Sequence, residues 1–340
     1  MKYPDDFIGK IINGDCLAVL KSMPNAFINT VVTSPPYWGL RDYGVKGQLG
    51  LEKTPDEYVA KMVEIFREVR RVLRDDGTLW LNLGDSYAAS SNTGGTNSIQ
   101  GTAKRMGAMT SKGHAVPPGL KPKDLVGIPW RVAFALQSDG WYLRSDIIWS
   151  KPNPMPESVT DRPTRAHEYI FLLTKSKKYF YDAEAIKEQG KSEITPWSVR
   201  KEEGEALRNS ISSTTPALNR KPDKQRGHSR RHAGFNEQWD NMTKTEQCSL
   251  MRNKRSVWEV ATQPYSESHF ATFPEKLIEP CVLAGCPKMG IVFDPFMGSG
   301  TTALVACKLN RQFTGIELNP EYIKMAEKRV DAERAQLKMF

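Results

Sequence analysis

Short apolar runs alternate along the chain with longer segments whose apolar residues recur at helical spacing. Residues 28–34 and 290–296 are mainly apolar and lie between turn residues, which is typical of buried strands. In residues 54–77, apolar side chains recur every three or four positions and Thr54 suits an N-cap. This segment therefore predicts a helix that ends at Gly77.

The same two patterns divide most of the remaining chain into strands and helices. They predict a short strand and a helix start at 10–20, strands at 78–87, 141–151, 168–176 and 312–318, and helices at 129–140 and 269–285. Strands separated by helices imply a doubly wound α/β fold, in which helices cover both faces of a mostly parallel sheet.

Two stretches depart from this alternation. Residues 88–123 are rich in serine, threonine and glycine, and we expect a long mobile loop there. Residues 187–255 contain 15 lysines and arginines against 9 acidic residues. A solvated, partly disordered insertion would have this composition, and so would a surface that binds phosphates and bases.

The overall composition is that of a globular protein with an excess of positive charge. The 340 residues are 39% apolar and carry a net charge of +9, which is consistent with a polyanionic partner. No apolar run is long enough to span a bilayer, and residues 1–10 lack the hydrophobic stretch of a secretory signal. The five cysteines form no CxxC pair, which favours a reducing, cytoplasmic setting over a disulfide framework.

The strand predicted at 28–34 leads into the sequence Ser34-Pro35-Pro36-Tyr37-Trp38. Proline has no N–H and a fixed φ, so the two prolines cannot continue a sheet, and their carbonyl groups should stay free of it. A rigid turn with free acceptors beside aromatic side chains could hold a planar ligand, although an ordinary turn could have the same sequence.

A glycine-rich turn follows the strand that reaches Asp294. Gly298 and Gly300 lie in the turn, a helix follows, and the next strand reaches Glu317. Glycines allow a ligand to approach the backbone, and a carboxylate at this position can accept bonds from ribose hydroxyl groups. An ATP-binding loop requires a lysine directly after its last glycine, and none follows Gly300. An NAD motif has a third glycine, and Ala303 lies at that position. Asp294 would repel phosphates, so a cationic nucleoside such as S-adenosylmethionine (SAM) fits better.

Together, residues 33–38 and 293–302 resemble the motifs of the DNA amino-methyltransferases, which methylate exocyclic nitrogens of cytosine or adenine. The resemblance covers most of the chain and includes segments 13–17, 79–87, 269–277 and 315–320. It implies a Rossmann-like, SAM-dependent methyltransferase fold. The catalytic motif precedes the cofactor motif, which is similar to the beta arrangement of this family, where a target-recognition region lies between them.

This arrangement implies a division of the chain into three parts. Residues 1–185 would form the catalytic half of the methyltransferase domain, with the mobile loop at 88–123. Residues 186–260 would form the target-recognition insertion, and residues 261–340 the SAM-binding half of the same domain.

The resemblance implies that Ser34, Pro35, Pro36 and Tyr37 are catalytic. If the Ser34 hydroxyl and the Pro35 carbonyl accept the two hydrogens of the target amino group, its nitrogen is drawn toward a pyramidal geometry. The nitrogen lone pair is then available to attack the methyl group of SAM. Tyr37 would stack on the base after its extrusion from the duplex.

The resemblance also implies a set of SAM-binding residues. Asp15 would bond the adenine amino group, Glu317 would hold the ribose, and Phe273 would pack on the cofactor. The other members surround the methionine part or complete the matching motifs: His269, Phe270, Pro274, Asp294, Pro295, Phe296, Gly298, Ser299, Gly300, Thr301, Thr302 and Asn319.

The motif that begins with serine favours cytosine N4 in this family, and the motif that begins with aspartate favours adenine N6. We therefore expect N4-methylcytosine, with N6-methyladenine as the alternative. Cytosine C5 methylation needs a cysteine nucleophile on a loop, whereas Cys281 lies in a predicted helix. Methylation of RNA or of protein glutamine would not explain the basic insertion. A DNA-binding protein without catalysis is disfavoured because both motifs are intact.

Double-stranded DNA is the expected partner, and Lys151 is expected near the base pocket. Phosphate and other DNA contacts are expected from the basic segment, at Arg220, Lys221, Arg226, Arg230 and Arg231. A homodimer and a cognate restriction endonuclease are further candidate partners, in the cytoplasm of a prokaryotic or phage-infected cell. We expect no metal site, because His228 and His232 lie in an arginine-rich loop.

Overall fold

The computed structural model describes residues 3–40, 44–45, 47–88, 116, 118–189, 251–262 and 273–337. The chain divides into two compact units. The larger comprises Met1–Ile186 together with Arg255–Phe340, and the smaller comprises Lys187–Lys254. Their assignment to catalysis and target recognition stays a prediction.

Eight strands of the larger unit form one sheet. The strands of the described chain are β1 (Ile11–Asn13), β2 (Ile28–Thr33), β3 (Leu73–Leu83), β4 (Tyr142–Ser150), β5 (His167–Thr174), β6 (Glu188–Gln189), β7 (Met251–Arg252), β8 (Val257–Glu259), β9 (Ile291–Asp294) and β10 (Gln312–Glu317). The large sheet has the order β1-β10-β9-β2-β3-β5-β4-β8. All its neighbouring strands are parallel except the pairs that involve β5, so the predicted mostly parallel sheet is confirmed.

Helices cover both faces of this sheet. They are α1 (Cys16–Ser22), α2 (Pro55–Val72), α3 (Ile128–Ser138), α4 (Glu275–Gly285), α5 (Thr301–Lys308) and α6 (Pro320–Leu337). Buried residues of α1, α2 and α3 belong to one apolar cluster, and those of α4, α5 and α6 to a second. The doubly wound arrangement is therefore confirmed. Each fully buried large apolar side chain stabilises it by about 1.5–3 kcal/mol.

Helix α2 begins as predicted but ends earlier. The Thr54 hydroxyl accepts a hydrogen bond from the Glu57 amide at 3.2 Å and caps the first turn. The predicted end at Gly77 is wrong, because Leu73 is already extended (φ −72°, ψ 138°) and pairs with Ile28 as the first residue of β3. The exposed residues 74–76 resemble a loop in composition, but they continue the strand.

The carboxyl ends of the parallel strands lie at one edge of the sheet. Strands β2 and β9 are neighbours, and the chain continues from β2 to β3 on one side and from β9 to β10 on the other. Ligands of α/β proteins bind at such a reversal of strand order. Because β5 runs in the opposite direction, its first residues, His167 and Glu168, lie at this same edge.

The described part of the smaller unit is a pair of short strands. Strands β6 and β7 pair antiparallel, with Glu188 opposite Arg252. The Arg252 Nε atom lies 2.9 Å from the Glu188 Oε1 atom and adds an ion pair to this ladder. Across the described residues of the whole chain, no helix is both long enough and apolar enough to cross a membrane.

Candidate active site

The loop that follows β2 is held in place mainly by aromatic side chains. The Tyr58 hydroxyl donates a hydrogen bond to the Pro36 carbonyl at 2.9 Å, and the Trp38 indole donates to the Glu52 carbonyl at 2.9 Å. The Pro36 carbonyl lies beyond the strand, which ends at Thr33, but it accepts this side-chain hydrogen bond. By contrast, no described residue donates a hydrogen bond to the carbonyl of Pro35.

A chain of polar side chains runs from this loop to strand β4. The half-buried Ser34 hydroxyl lies 3.3 Å from the Tyr37 hydroxyl, which in turn lies 2.7 Å from the Glu168 Oε2 atom and 3.0 Å from the Asn82 Oδ1 atom. The Lys151 ammonium donates to the other carboxylate oxygen of Glu168. Four strand ends thus contribute to one polar network.

The charge of Glu168 and the burial of Tyr37 keep the tyrosine hydroxyl protonated. Burial raises the pKa of Tyr37 well above its usual value, and the neighbouring Glu168 carboxylate raises it further. Tyr37 is therefore a hydrogen-bond donor over the whole neutral range.

One side of the Tyr37 ring is packed against the main chain just beyond β3. A Cβ atom built on Gly84 would lie 2.6 Å from the Tyr37 Cε2 atom, which is too close for any side chain. The absence of a side chain at Gly84 therefore lets the ring lie where it does. The role of Tyr37 as a stacking surface for the target base stays a prediction.

Lys151 lies in this network rather than on open surface. Its ammonium is 4.2 Å from the ring centroid of Trp149, and its side chain is only 18% exposed. The Trp149 indole is itself fixed by a hydrogen bond to the Val260 carbonyl at 2.7 Å. The expected DNA contact of Lys151 stays a prediction, and its ion pair with Glu168 was not foreseen.

On the cofactor side, the Asp294 carboxylate is buried beneath the glycine-rich turn. It accepts hydrogen bonds from the Thr33 hydroxyl at 2.6 Å, the Thr302 hydroxyl at 2.8 Å and the Phe296 amide at 3.0 Å. Burial raises the pKa of Asp294 to about 6, although these three donors act in the opposite direction. Asp294 thus joins the turn to the strand that carries Ser34, because Thr33 directly precedes Ser34.

The other predicted turn residues are likewise bonded within the protein. Arg329 of α6 donates to the Ser299 hydroxyl at 3.1 Å and to the Thr301 hydroxyl at 3.2 Å. Gly300 has a φ of +83°, and a Cβ there would lie 2.6 Å from the Ala326 Cβ atom. Glycine is needed at this position because the turn crosses α6 at close range.

The carboxylate at the end of β10 also binds the turn. Glu317 accepts hydrogen bonds from the Gly298 amide at 2.7 Å and the Asn319 amide at 2.8 Å. Burial raises the pKa of Glu317, and the negative charge of Glu317 also contributes to the raised pKa of Asp294. These two carboxylates therefore lie in one acidic region.

Other members of the predicted cofactor set lie at or near the same edge. Asp15 is exposed, follows β1, and caps α1 by accepting from the Ala18 amide at 2.9 Å. Pro274 is the N-cap residue of α4, and the half-buried Phe273 packs against the second apolar cluster. The acidic region suits a ligand with an ammonium and a sulfonium group, and the exposed carboxylate of Asp15 can accept a hydrogen bond from an adenine amino group. The residues present therefore fit SAM.

Asp85 is a structural residue that follows β3 and contacts the start of α3. Its carboxylate accepts hydrogen bonds from the amides of Gly127 at 2.9 Å and Ile128 at 3.0 Å. It therefore caps the N-terminus of α3, which is far away in sequence. Arg165 donates to the Asp85 carbonyl and ties the segment between β4 and β5 to this position.

Several predicted residues lie outside the described part of the chain. These are His269, Phe270, Arg220, Lys221, Arg226, Arg230 and Arg231, most of the loop predicted at 88–123, and the two histidines considered as metal ligands, His228 and His232. Among the described residues, no group of three or more histidine, cysteine, aspartate or glutamate side chains could hold a metal ion.

Sequence reasoning missed Asn82 and Glu168, the two partners of the Tyr37 hydroxyl. Asn82 is 4% exposed and lies on β3, and its amide nitrogen donates to the Tyr169 carbonyl at 3.0 Å. A polar residue inside an apolar strand was the available signal for Asn82. Glu168 had no local signal, since its position follows from the reversed direction of β5.

Both the sequence and the fold are similar to those of known proteins. A model of the N6/N4 methyltransferase family, described as DNA methylase, matches residues 28–328. The chain is 46% identical to the type II methyltransferase M.SmaI of Serratia marcescens over 321 residues, which cover 94% of this chain and 90% of that protein. It is 44% identical to the type II methyltransferase M.Cfr9I of Citrobacter freundii, with 95% and 88% covered.

Among solved structures, the fold is similar to that of the PvuII DNA methyltransferase, which is described as cytosine-N4-specific. The TM-score is 0.55 and the sequence identity 20%, with 95% of this chain and 86% of that chain covered. This likeness confirms the methyltransferase fold that the two motifs implied.

Proposed function

Since the chain belongs to the N6/N4 DNA methylase family, whose methyl donor is SAM, we propose that it methylates N4 of cytosine in double-stranded DNA. The alternative target is N6 of adenine. The observation that carries the proposal is the 2.6 Å hydrogen bond between Thr33 and Asp294. This bond holds the Ser34 motif beside the turn that is expected to bind the methyl donor.

On the base side, two acceptors can draw hydrogens from the target amino group. The amino nitrogen of cytosine is a poor nucleophile because its lone pair is delocalised into the ring. Hydrogen bonds to the Ser34 hydroxyl oxygen and to the Pro35 carbonyl, which no described residue occupies, favour a pyramidal nitrogen. The base must leave the duplex to reach this loop, so we infer base flipping.

On the cofactor side, SAM supplies an electrophilic methyl group on a positively charged sulfur. Glu317 at the end of β10 would accept hydrogen bonds from the ribose hydroxyls, and Asp15, which follows β1, would accept one from the adenine amino group. The turn between Asp294 and Thr301 provides a close backbone surface for the methionine part. The transfer forms the new N–C bond as the S–C bond breaks, and the amino group loses one proton to solvent. Alignment of the two reactants supplies much of the rate.

The choice of cytosine rests on Ser34 at the head of the motif. The fold itself serves cytosine N4 chemistry in the PvuII enzyme, which supports the choice without deciding it. The test is to incubate the protein with SAM and unmethylated DNA of varied sequence, digest the DNA to nucleosides and analyse them by liquid chromatography with mass detection. We expect N4-methylcytosine.

Each other result of this experiment has a definite meaning. N6-methyladenine would retain the mechanism but show that the choice of base is wrong. The absence of any methylated nucleoside would contradict the proposed function, provided that the protein is folded and binds SAM. The Ser34→Ala variant, prepared in parallel, controls for a contaminating host methyltransferase.

We propose that the segment between β6 and β7 recognises the target sequence. Its excess of basic residues is suited to phosphate contacts, among them Arg226, Arg230 and Arg231. Replacing any one of these by alanine should weaken binding to all DNA sequences by a similar factor and reduce the salt dependence of binding. A loss confined to the target sequence would instead indicate direct base recognition.

We also propose the cellular setting that the type II relatives suggest. A cognate restriction endonuclease would cut the sites that this enzyme protects, in the cytoplasm of a prokaryotic or phage-infected cell. A homodimer is a further proposal. Light scattering of the purified protein measures the oligomeric state directly.

A further inference from the structure

A serine that must only accept hydrogen bonds presents a chemical problem. A hydroxyl group can donate as well as accept, and a serine hydrogen that points at the target amino group would oppose the reaction. The proposed chemistry therefore requires that the Ser34 hydrogen be directed elsewhere. The polar network behind Ser34 contains groups that can do this.

The network has a fixed direction because its outermost members cannot change roles. The Lys151 ammonium can only donate, and the Glu168 carboxylate can only accept. Lys151 donates to one carboxylate oxygen, and the other oxygen lies 2.7 Å from the Tyr37 hydroxyl. Since the short contact to a charged acceptor is the strongest available to Tyr37, its hydrogen points to Glu168.

Asn82 reinforces this direction. Its amide nitrogen donates to the Tyr169 carbonyl at 3.0 Å and to the Glu168 Oε2 atom at 3.3 Å, which turns its amide oxygen toward the Tyr37 hydroxyl at 3.0 Å. The Tyr37 hydrogen therefore has two acceptors on the side away from Ser34. The Tyr37 oxygen in turn accepts the hydrogen of Ser34 at 3.3 Å.

We propose that Glu168, held by Lys151, is a positioning residue that makes Ser34 an obligate hydrogen-bond acceptor. The Ser34 hydrogen is directed to Tyr37, and the lone pairs of its oxygen remain for the target amino group. Serine then behaves toward the base as the aspartate of related motifs does. This inference rests on the proposed function, because it concerns the orientation of the same serine.

The test is the rate of methyl transfer by Glu168→Gln in a single turnover, with SAM and DNA saturating. In this variant the amide oxygen binds Lys151 and the amide N–H faces the Tyr37 oxygen, which removes the charged acceptor of the Tyr37 hydrogen. We expect a rate loss on the order of tenfold or more. The dissociation constants of SAM and DNA should stay within about twofold of wild type, because Glu168 acts through Tyr37 and Ser34.

A double variant separates this mechanism from a general loss of structure. In Tyr37→Phe the link to Glu168 is already absent, so adding Glu168→Gln should not slow the reaction further. Glu68→Gln is the matched control, because Glu68 is also a half-buried glutamate in an ion pair, 2.8 Å from Arg71 on α2. Its rate should equal that of wild type.

Three results would overturn the inference while the proposed function stands: a Glu168→Gln rate within twofold of wild type, a loss confined to SAM or DNA affinity, or losses that multiply in the double variant. If Glu168→Gln does not fold, Lys151→Met tests the network from its other end, and an unchanged rate would contradict the proposal. A wild-type protein that methylates no base would overturn both the function and this inference.

Discussion

The loop after β2 and the turn after β9 lie at the ends of neighbouring strands but use their polar groups in opposite ways. In the turn, the Asp294 carboxylate and the hydroxyls of Ser299 and Thr302 are bonded within the protein. In the loop, the Pro35 carbonyl receives no hydrogen bond from any described residue, and the Ser34 oxygen keeps its lone pairs. This contrast fits the proposed function, in which the loop offers its own polar atoms to the target base and the turn offers a shaped backbone to SAM.

The sharpest test of this contrast compares two serines. Ser34→Ala should lower the single-turnover methylation rate about 100-fold, by analogy with the loss of one group that stabilises a transition state. Ser299→Ala removes a hydroxyl that already pairs with Arg329, so its rate should fall less than about threefold. Equal losses in the two variants would show that the two loops do not differ in this way.

The buried carboxylate of Asp294 should give the stability of the protein a distinct pH dependence. Its pKa is about 6 in the folded protein, and the ordinary value of 3.8 applies to the unfolded chain. Between these two pH values the folded state therefore binds more protons than the unfolded state. Stability is therefore lost as the pH rises from about 4 through 6, by up to about 3 kcal/mol. Asp294→Asn cannot titrate and should lack this loss.

Urea unfolding of wild type and Asp294→Asn at pH 4.5 and pH 7 measures this effect. Between pH 4.5 and pH 7, the free energy of unfolding of wild type should fall relative to that of Asp294→Asn. A shift in the opposite direction would mean that the three donors outweigh burial, and that Asp294 is ionised more readily than an exposed aspartate.

Replacing either of two glycines by alanine should have a smaller effect, on the methylation rate in one case and on stability in the other. Gly84→Ala places a methyl group 2.6 Å from the Tyr37 ring and should lower the methylation rate about tenfold, because Tyr37 must move. Gly300→Ala meets Ala326 at 2.6 Å and should destabilise the fold by about 1–3 kcal/mol. Rate measurements and thermal melting of both variants check this, and a reversed pattern would contradict it.

Features specified by neighbouring residues could be predicted from the sequence. Strand β2, the N-cap of α2 and the turn with Gly298 and Gly300 are local patterns, and they were placed correctly because main-chain preferences decide them. The end of α2 was misplaced for the same reason. Residues 74–76 favour a turn locally, but pairing with β2 makes them a strand.

Features that depend on contacts distant in sequence could not be predicted. Glu168 reaches Tyr37 across 131 positions of the chain, and Asp85 caps a helix that begins 43 positions later. The sequence does not show that β5 is reversed, and this reversal brings Glu168 to the site. The family motifs predict the loop that we propose to be reactive, but they do not predict the polar network that joins Tyr37 to Glu168 and Lys151.

The pairing of β6 with β7 has a consequence for exchanging parts between related enzymes. Glu188 and Arg252 face each other across one antiparallel ladder, so the segment between Gln189 and Met251 leaves and rejoins the chain at neighbouring points. A foreign segment grafted there would need ends only about 5 Å apart, whatever its length. Segments of different sizes and origins can therefore be joined there while the pairing of β6 with β7 is retained.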